Sequence, residues 1–510
     1  MNAQRDISTV LSRAPEGLEA PLVRVEVHLG AGLPAFALVG LPEAAVRESK
    51  ERVRAALATA GFEFPVARIT VNLSPADLPK EGGRFDLPIA IGILAAVKVI
   101  PPSAVLGREF YGELSLGGEL RETRKLLPAL IRGVQSHHEV ILPAANALEA
   151  ALVGHADLKL TRRLDELVAS LRSRQPLASV PSDAAAEYGA RSPPALPDLQ
   201  DVCGQYGAKR ALELAAAGEH GLLFLGPPGT GKTLLAQRLP GLLPRMSAEE
   251  ALEVASLESA AGRRPSCGVL RPFRNPQHTA SMAALIGGGA MRPGELSLAH
   301  RGVLFLDEFP EFPRNALEAL REPLESGEVV LTRLKRSCRF PAQFQLIAAM
   351  NPCPCGYAGD AGGRCRCTPD QVLRYRNRIS GPLADRIDMQ VELTALPPQH
   401  LLDADGAAPR PESSAQVAAR VAAARGRQMV RQGKLNARLS AAELALHCPI
   451  SGEPRSMLSA AITRWGLSAR AYHRVLKLAR TAADLAGSAD IRIADVAEAV
   501  KLRVLDRPTC

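Results

Sequence analysis

Hydrophobic and polar positions alternate along the first third of the chain in a way that predicts a mixed α+β unit. The segments LVRVEVHL, AFALVG and ARITVNL, which begin at residues 22, 35 and 67, alternate with a period of two, as strands with one buried face do. Between them, EAAVRESKERVRAALATAG places Val46, Val53 and Leu57 on one face of an amphipathic helix. We expect this unit to cover residues 1–172.

The pattern changes twice in the rest of the chain. Residues 173–197 are rich in proline, serine and alanine without periodicity, which predicts an exposed linker. From 198 to 396, apolar runs such as LLFL and VLFL stand between helix-like segments, as in a parallel sheet that is buried on both faces. Residues 397–510 show helical patterns and predict a C-terminal helical lid. The predicted fold class is therefore α/β multidomain.

Composition narrows the class of protein. Of the 510 residues, 46% are apolar and 23% are charged, which is typical of a soluble globular protein. The longest apolar run, LPIAIGILAAV, has about half of the roughly 20 residues that a bilayer requires, so we expect no membrane span. The N-terminus lacks a basic segment followed by an apolar block, so we expect a cytoplasmic protein. A net charge of +9 is compatible with a polyanionic partner.

One stretch carries the pattern of a phosphate-binding loop. GPPGTGKT fits the spacing G-x-x-x-x-G-K-[ST] and lies between an apolar strand and a helix-like segment. Its glycines let backbone N–H groups surround phosphate oxygens, Lys232 reaches the β and γ phosphates, and the Thr233 hydroxyl holds Mg²⁺. The predicted ATP-binding residues are Gly226, Pro227, Pro228, Gly229, Thr230, Gly231, Lys232 and Thr233.

Two further predicted strands end in polar residues that suit ATP hydrolysis. VLFL is followed by Asp307, a second Mg²⁺ ligand, and by Glu308, which would polarise the attacking water. FQLIAAM is followed by Asn351, whose amide can orient water beside the γ phosphate without carrying a charge. Acidic pairs are usually solvated surface, but one that ends an apolar strand downstream of a phosphate loop indicates catalysis.

These motifs together resemble one family of ATPases. The segments DVCGQYGAKRALELAAAGEHGLLFLGPPGTGKT, HTASMAALIGGG, GVLFLDEF, AAMNPCPCG and SGPLADRIDMQVEL look like those of the magnesium-chelatase-like AAA+ ATPases of the YifB/ComM type, a bacterial competence-associated group. The resemblance covers nearly the whole chain, because the N-terminal unit resembles the Lon-protease-like, ChlI-type domain of this family. It implies a homo-oligomeric ring, expected to be a hexamer.

The resemblance also implies functional arginines and a substrate. Arg386 in LADRID matches the arginine finger that a neighbouring subunit inserts against the γ phosphate. Arg470 matches the second sensor of the helical lid, with Arg474 as the alternative. A single arginine in so arginine-rich a chain is otherwise a solvated surface residue. The implied activity is that of a helicase that binds single-stranded or branched DNA and promotes branch migration of recombination intermediates during natural transformation.

A basic hairpin is predicted between Glu308 and Asn351. The segment GEVVLTRLKRSCRFPAQFQLIAAMN is strand-like on both sides of a tip that carries Arg333, Lys335 and Arg336. In similar AAA+ motors a hairpin at this place projects into the central pore. Basic residues at such a tip would contact a phosphate backbone without reading bases, which gives sequence-independent and salt-sensitive DNA binding. The alternative is a solvated hairpin without a ligand.

Four of the nine cysteines lie within the short segment MNPCPCGYAGDAGGRCRCT. Cys353, Cys355, Cys365 and Cys367 provide enough thiolates for a tetrahedral Zn²⁺ site on a glycine-rich loop that could hardly be ordered by burial. The C-x-C spacing is shorter than that of typical zinc sites. Two pairs of reduced or disulfide-prone cysteines therefore remain the alternative.

Two other functions compete with a DNA motor. A Lon-like domain raises the possibility of proteolysis, but Arg84 in PKEGGRFD occupies the position of the catalytic serine, and the partner lysine position falls at Leu127, with Lys125 nearby. Without a nucleophile, acyl transfer cannot begin. The second alternative is a chelatase-type ATPase that remodels a protein or porphyrin partner. The Lon-like domain in front and the lack of a metal-coordinating acidic C-terminal domain disfavour it.

Overall fold

The chain folds into three parts, which we call the N-terminal part (residues 7–181), the P-loop part (196–395) and the C-terminal helices (412–503). The computed structural model describes residues 7–181, 196–266, 268–289, 291–333, 336–359, 362–395 and 412–503. Most of the predicted linker and the start of the predicted helical lid lie outside these ranges. Within them, no helix is both long enough and apolar enough to cross a membrane.

The N-terminal part contains a mixed sheet of eight strands among its described residues. The described strands of the N-terminal part, including two that lie outside this sheet, are in chain order β1 Ile7–Arg13, β2 Leu22–Gly30, β3 Ala35–Val39, β4 Arg68–Ser74, β5 Arg108–Phe110, β6 Glu113–Leu114, β7 Leu120–Arg121, β8 Glu139–Pro143, β9 Leu158–Thr161 and β10 Ala178–Ser179. The sheet order is β10-β9-β8-β5-β1-β2-β4-β3, and β6 pairs only with β7. The three predicted strands are confirmed as β2, β3 and β4. The start of the predicted linker, as β10, adds a strand to this sheet.

A buried helix fills the centre of the N-terminal part. The apolar run LPIAIGILAAV forms helix Asp86–Ala96, which is buried at every position and packs on β1 and β2. Gly92 makes this approach possible, because a Cβ there would lie 2.6 Å from a methyl group of Val27. The helices of this part are Ala44–Arg47, Ser49–Thr59, Asp86–Ala96, Leu127–Gln135, Ala147–Val153 and Leu164–Ser173. The predicted amphipathic helix is thus two helices that meet at Glu48.

The P-loop part contains a five-stranded parallel sheet. The described strands of the P-loop part, including four that form two separate hairpins, are in chain order β11 Leu222–Leu225, β12 Phe273–Arg274, β13 Gly287–Gly288, β14 Arg292–Pro293, β15 Val303–Leu306, β16 Glu328–Arg333, β17 Arg336–Pro341, β18 Gln345–Met350 and β19 Met389–Glu392. The sheet order is β12-β15-β18-β11-β19, while β13 pairs with β14 and β16 with β17 as hairpins. Every position of β11, β15 and β18 is buried, which explains their continuous apolar pattern.

Helices cover both faces of the parallel sheet, as predicted for an AAA+ fold. Those of the P-loop part are Tyr206–Gly218, Lys232–Ala236, Leu239–Leu242, Ala248–Ala260, Met282–Ile286, Glu295–Leu298, Arg314–Glu318, Arg321–Ser326, Pro369–Arg376 and Gly381–Ala384. The C-terminal helices are Ser414–Gln432, Ala441–His447, Gly452–Trp465, Ala469–Leu485 and Ile493–Lys501. Two of them, Ser414–Gln432 and Ala469–Leu485, pack on helix Tyr206–Gly218 and share one hydrophobic core with the sheet.

The N-terminal part contacts the P-loop part at two places. Helix Leu127–Gln135 packs on helix Ala248–Ala260, where the partly buried carboxylate of Glu149 accepts a hydrogen bond of 2.6 Å from the Ser259 hydroxyl. Burial raises the pKa of Glu149. At the second place, Glu16 lies 3.5 Å from Arg336 in the β16–β17 hairpin. The P-loop part is therefore held by the N-terminal part through both a helix and the hairpin.

Candidate nucleotide site

The phosphate-binding loop joins β11 to helix Lys232–Ala236 at the carboxyl edge of the parallel sheet. Gly226 has no room for a side chain, because a Cβ there would lie 2.5 Å from the carbonyl oxygen of Leu393. Gly229 and Gly231 have φ angles of +79° and +86°, which residues with a side chain rarely adopt. The path of the loop therefore requires these three glycines.

The ammonium group of Lys232 is enclosed by the loop. Its Nζ donates to the carbonyl oxygens of Gly226 at 2.7 Å and Pro227 at 2.8 Å, and to Oδ1 of Asn351 at 3.0 Å. Burial lowers the pKa of Lys232, and the carboxylates of Asp307 and Glu308 oppose this shift. A phosphate offers negatively charged oxygens to the same donor, and charge-assisted hydrogen bonds are stronger than those to neutral carbonyls. Lys232 can therefore bind a phosphate that enters the loop.

Thr233 and Asp307 form an oxygen pair beside the loop. The Thr233 hydroxyl donates to Oδ2 of Asp307 over 2.6 Å. Hydroxyl and carboxylate oxygens are the hard ligands that Mg²⁺ prefers, so the two residues fit a magnesium site. Glu308 follows with a φ of +50°, and its half-exposed carboxylate lies 3.0 Å from Nδ1 of His278. The Glu308 carboxylate is thus accessible to water and has His278 as its partner.

Asn351 joins the group because its strand, β18, lies between β11 and β15 in the sheet. The backbone of Asn351 also lies close enough to the phenol group of Tyr375 to lower its pKa. Burial and the Glu311 carboxylate raise the pKa of Tyr375 to about 12. The predicted residues Lys232, Thr233, Asp307, Glu308 and Asn351 therefore converge on one edge of the sheet.

The predicted arginines lie at the opposite, amino edge. The backbone of Arg386 lies beside Gly221, which precedes β11, whereas the phosphate loop follows that strand. Arg386 forms an ion pair with Glu325, and Arg470, whose side chain is 66% exposed, lies 4.0 Å from Asp385. One cavity of 220 Å³ is lined by Leu324, Glu325, Asp385, Arg386, Arg470, His473, Arg474 and Lys477. The structure brings the arginines together, but not with Lys232 of the same chain.

Arg474 has a different environment from Arg470. Its guanidinium is largely buried and forms an ion pair with the buried Asp388. Burial opposes the ionisation of Asp388, but Arg474 and His220 hold the pKa of that carboxyl well below its usual range. His220 in turn contacts Thr481 of helix Ala469–Leu485 at 2.7 Å. Arg474 therefore joins the C-terminal helices to the sheet.

The four cysteines form a compact cluster. Their Sγ atoms all lie within 4.8 Å of one another, and Cys353 is separated from Cys355 by 3.3 Å and from Cys365 by 3.8 Å. Tetrahedral Zn²⁺ with Zn–S bonds of about 2.3 Å needs sulfur separations of about 3.8 Å. Backbone N–H groups of Arg366 and Tyr357 lower the pKa of Cys355 to about 6. The four residues therefore fit a zinc ion.

The predicted basic tip is described only in part. Lys335 lies outside the described residues, and of Arg333 only the backbone is described. Arg336 begins β17 and pairs with Glu16 of the N-terminal part. Below it on the hairpin, Cys338 and Phe340 lie against Gly17. The hairpin thus forms as expected, but one of its basic residues already has an acidic partner.

Arg84 fills the position of the protease serine with a buried guanidinium. It donates to the carbonyl oxygens of Arg124 at 2.6 Å and Lys125 at 3.1 Å, and burial lowers its pKa to about 10. Lys125 itself pairs with Glu81 at 2.9 Å. Neither residue is free to act as a nucleophile or as its base.

Sequence reasoning missed three residues at these sites. His278 has no motif, and lone histidines are more often structural, as His300 is with its contacts to Glu253 and the Gln343 backbone. Tyr375 stands in a polar helix without a signal for its contact with Asn351. Glu16 precedes its partner Arg336 by 320 positions of sequence. Only the strand order and the packing of the parts bring such residues together.

Comparison with known proteins finds family matches in all three parts of the chain and relatives over nearly its whole length. Three family descriptions match it: "Magnesium chelatase, subunit ChlI" over residues 198–401, "Subunit ChlI of Mg-chelatase" over 25–146 and "Magnesium chelatase, subunit ChlI C-terminal" over 411–503. The chain is 48% identical over 507 residues to the competence protein ComM of Haemophilus influenzae, with 98% of each chain covered. It is 46% identical to the uncharacterized protein YifB of Escherichia coli, again with 98% of each chain covered.

A more distant relative shares only part of the chain. The 38 kDa subunit of magnesium chelatase from Rhodobacter capsulatus is 32% identical over 184 residues, which are 32% of this chain and 52% of that subunit. Family membership implies ATP and Mg²⁺ as ligands of the P-loop part. With the AAA+ sheet, its phosphate loop and the whole-chain matches, the chain belongs to the magnesium-chelatase-like family of AAA+ ATPases that includes ComM and YifB.

Proposed function

We propose that this protein is a cytoplasmic, ring-forming ATPase that moves DNA, and that it promotes branch migration of recombination intermediates during natural transformation. The ATPase part rests on one observation, the convergence of Lys232 and Asn351 with Thr233 and Asp307. The biological process rests on the identity to ComM over nearly the whole chain. The proposed domains are a ChlI-type domain 1–172, a linker 173–197, an ATPase core 198–396 and a helical lid 397–510.

In the proposed reaction, Lys232 binds the β and γ phosphates and Thr233 and Asp307 hold Mg²⁺. Bound Mg²⁺ neutralises charge on the phosphate oxygens. Glu308 accepts the proton of the attacking water, and Asn351 orients that water from the next strand. The contacts of Lys232 with Gly226 and Pro227 are exchanged for phosphate oxygens when nucleotide enters. Each of these residues stays on the carboxyl edge of the sheet.

The position of Arg386 supports a site shared between subunits. Arg386 and Arg470 stand at the amino edge of their own sheet, so they can reach only a nucleotide bound to another subunit. In that arrangement Arg386 acts as the finger that stabilises charge on the γ phosphate, and Arg470 as the second sensor. We expect a closed ring of six subunits. Arg386 would exchange Glu325 for the phosphate when a neighbour docks.

DNA contacts are proposed for Arg333, Lys335 and Arg336 on the β16–β17 hairpin. The hairpin projects from the strand connection that leads from Glu308 to Asn351, so movement of DNA would be transmitted to two residues of the site. Contacts with phosphates alone do not select a sequence.

For the cysteine cluster we propose a structural Zn²⁺ ion held by Cys353, Cys355, Cys365 and Cys367.

The ATPase rate with and without DNA tests this function. We would compare the wild type, Lys232→Ala and Lys335→Ala/Arg336→Ala, each alone, with single-stranded DNA and with a four-way junction, at low and high salt. Arg339→Ala is the matched control, because Arg339 lies on the same strand with its side chain 76% exposed. Lys232→Ala should show no ATPase under any condition. Wild type and Arg339→Ala should show salt-sensitive stimulation by DNA, and Lys335→Ala/Arg336→Ala should keep the basal rate but lose the stimulation. An ATPase indifferent to every DNA would overturn the proposal.

Subunit mixing tests the shared site. Lys232→Ala and Arg386→Ala proteins should each be inactive alone. A mixture should regain activity, because some interfaces then combine an intact Lys232 with an intact Arg386. If the mixture stays inactive while both variants still assemble, Arg386 does not act across subunits.

A chelatase-type ATPase is the second candidate, favoured by the similarity to the 38 kDa magnesium-chelatase subunit. In that function the ring would remodel a protein or porphyrin partner. Stimulation of the ATPase by a tetrapyrrole-binding partner, together with indifference to DNA, would favour it. A protease is disfavoured, because Arg84 offers no nucleophile.

A further inference from the structure

The cysteine loop touches the phosphate loop. Gly356 has a φ of +87°, and a Cβ there would lie 2.7 Å from Cδ of Pro228 and 3.9 Å from Cγ of Asn351. Backbone of the cysteine loop therefore lies directly against Pro228, in the middle of the phosphate-binding segment. The only side chain at this contact is the rigid ring of Pro228, so a displacement of one loop is passed to the other without being absorbed by a flexible group.

The turn that carries Gly356 is built on Cys353. This cysteine is fully buried and follows Asn351 by two residues. The backbone N–H of Gly356 donates to the carbonyl oxygen of Cys353 at 3.0 Å, and that of Ala358 donates to its sulfur at 3.2 Å. The position of the turn thus depends on where the Cys353 sulfur is held.

The other three cysteines are less buried than Cys353. Cys355, Cys365 and Cys367 are partly exposed, and the segment between them is rich in glycine. After the loop, helix Pro369–Arg376 begins with a capping box at Thr368 and carries Tyr375 back to the backbone of Asn351. Both ends of the loop therefore lie near Asn351, and the described cysteines on either side of residues 360 and 361 meet at the sulfur cluster.

We propose that a thiophilic divalent cation on these four cysteines positions the nucleotide site, so that ATP affinity depends on occupancy of the cysteine cluster. This inference rests on the proposed ATPase function. With the cation bound, Cys353 fixes the turn, Gly356 supports Pro228, and Asn351 keeps its contact with Lys232. Without it, the turn is released and the phosphate loop loses its support. Gly356 and Pro228 act as positioning residues.

Removal and return of the metal test the inference on the full chain. Metal analysis of the purified protein should give one Zn²⁺ per chain. The dissociation constant for a fluorescent ATP analogue, measured with Mg²⁺ present, should rise by about tenfold or more after chelation and recover when Zn²⁺ is restored. Co²⁺ in place of Zn²⁺ should give the visible absorption of a tetrahedral thiolate site. Cys203→Ser, which alters an exposed cysteine outside the cluster, should leave all three measurements unchanged.

A pair of glycine variants distinguishes the effect of the Gly356–Pro228 contact on nucleotide binding from the effect of the metal. Gly356→Ala and Gly359→Ala place the same side chain at φ angles of +87° and +81° in the same loop, but Gly359 has no atom within 4 Å of its Cβ position. Both should keep the metal, and only Gly356→Ala should weaken nucleotide binding, by about tenfold. Equal affinity in the two variants, or in the metal-free and loaded proteins, would overturn the inference. A fully loaded wild type that binds no ATP would instead overturn the proposed function.

Discussion

Glu16 of the N-terminal part and Arg336 of the β16–β17 hairpin form an ion pair of 3.5 Å, with side chains that are only 18% and 30% exposed. The contact continues next to the pair at Gly17. A Cβ atom on this glycine would lie 3.4 Å from the sulfur of Cys338. The N-terminal part thus holds a hairpin for which we propose DNA binding. The N-terminal part therefore has a possible role other than proteolysis. Its Glu16 would compete with DNA phosphates for Arg336.

Replacing Glu16 tests this control. Glu16→Gln removes the competing carboxylate, and partly exposed pairs contribute about 0.2–1 kcal/mol, so affinity for single-stranded DNA should rise about 1.4- to fivefold at low salt. The gain should vanish at high salt, because screening weakens the pair in the wild type as well. Glu19→Gln is the control, since Glu19 pairs with Arg132 instead. Fluorescence anisotropy measures both. Unchanged or weaker binding in Glu16→Gln would contradict the prediction.

His278 is expected to assist hydrolysis through Glu308. His278→Ala removes the group that lies 3.0 Å from the Glu308 carboxylate, so kcat should fall while ATP affinity stays unchanged. The loss should be smaller than the roughly 10²- to 10⁴-fold loss expected for Glu308→Gln, which removes the base itself. His155→Ala, at an exposed histidine beside Asp157, is the control. A loss of ATP affinity without a change in kcat would show that His278 does not act through Glu308.

Arg474 and Arg470 should differ in their contribution to stability. Arg474→Ala leaves the buried Asp388 without its main counter-ion and should reduce the free energy of unfolding by about 3–5 kcal/mol. Arg470→Ala, one helical turn earlier and largely exposed, should change it by less than about 0.5 kcal/mol. Thermal unfolding followed by circular dichroism compares the two. Similar melting temperatures would show that Asp388 is not held by Arg474.

The same pair predicts a dependence on acid. The pKa of Asp388 is lower in the folded protein than in the unfolded chain, so the stabilisation is complete above about pH 4 and is lost as the pH falls toward the folded pKa. Melting temperatures measured from pH 6 downward should therefore fall more steeply in the wild type than in Arg474→Ala. Parallel curves would contradict this origin of the acid sensitivity.

Arg84 should be structural. Arg84→Ala leaves the carbonyl oxygens of Arg124 and Lys125 without their donor in a buried site, which should cost about 1–3 kcal/mol of stability for each unsatisfied group. Degradation of casein should be undetectable in the wild type and in the variant. Glu81→Gln, which loosens Lys125 alone, is the control for a local effect. Proteolysis by the wild type that Arg84→Ala abolishes would overturn the assignment.

The sequence by itself determined the local elements of this protein. Alternating apolar residues specify β2 and β4, and continuous apolar runs specify β11, β15 and β18, because each pattern encodes which faces of a short segment are buried. The glycines of the phosphate loop specify its turn, because they permit the backbone angles that the turn requires. The four cysteines were recognisable as a candidate metal site for a different reason. Their closeness within one loop limits how far apart the sulfurs can lie. The convergence of Asp307 and Asn351 near Lys232 also followed from the rule that parallel strands end at one edge.

Only the tertiary structure decided the contacts between distant segments. Strand order turns the expected proximity of Asn351 and Lys232 into a direct hydrogen bond of 3.0 Å, and packing of the parts brings Glu16 to Arg336. Gly356 against Pro228 and Arg386 at the edge opposite to Lys232 carry no local signal, because a side chain's distant neighbours depend on how whole elements pack. Periodicity reports which face of a segment is buried, and the fold decides what that face meets.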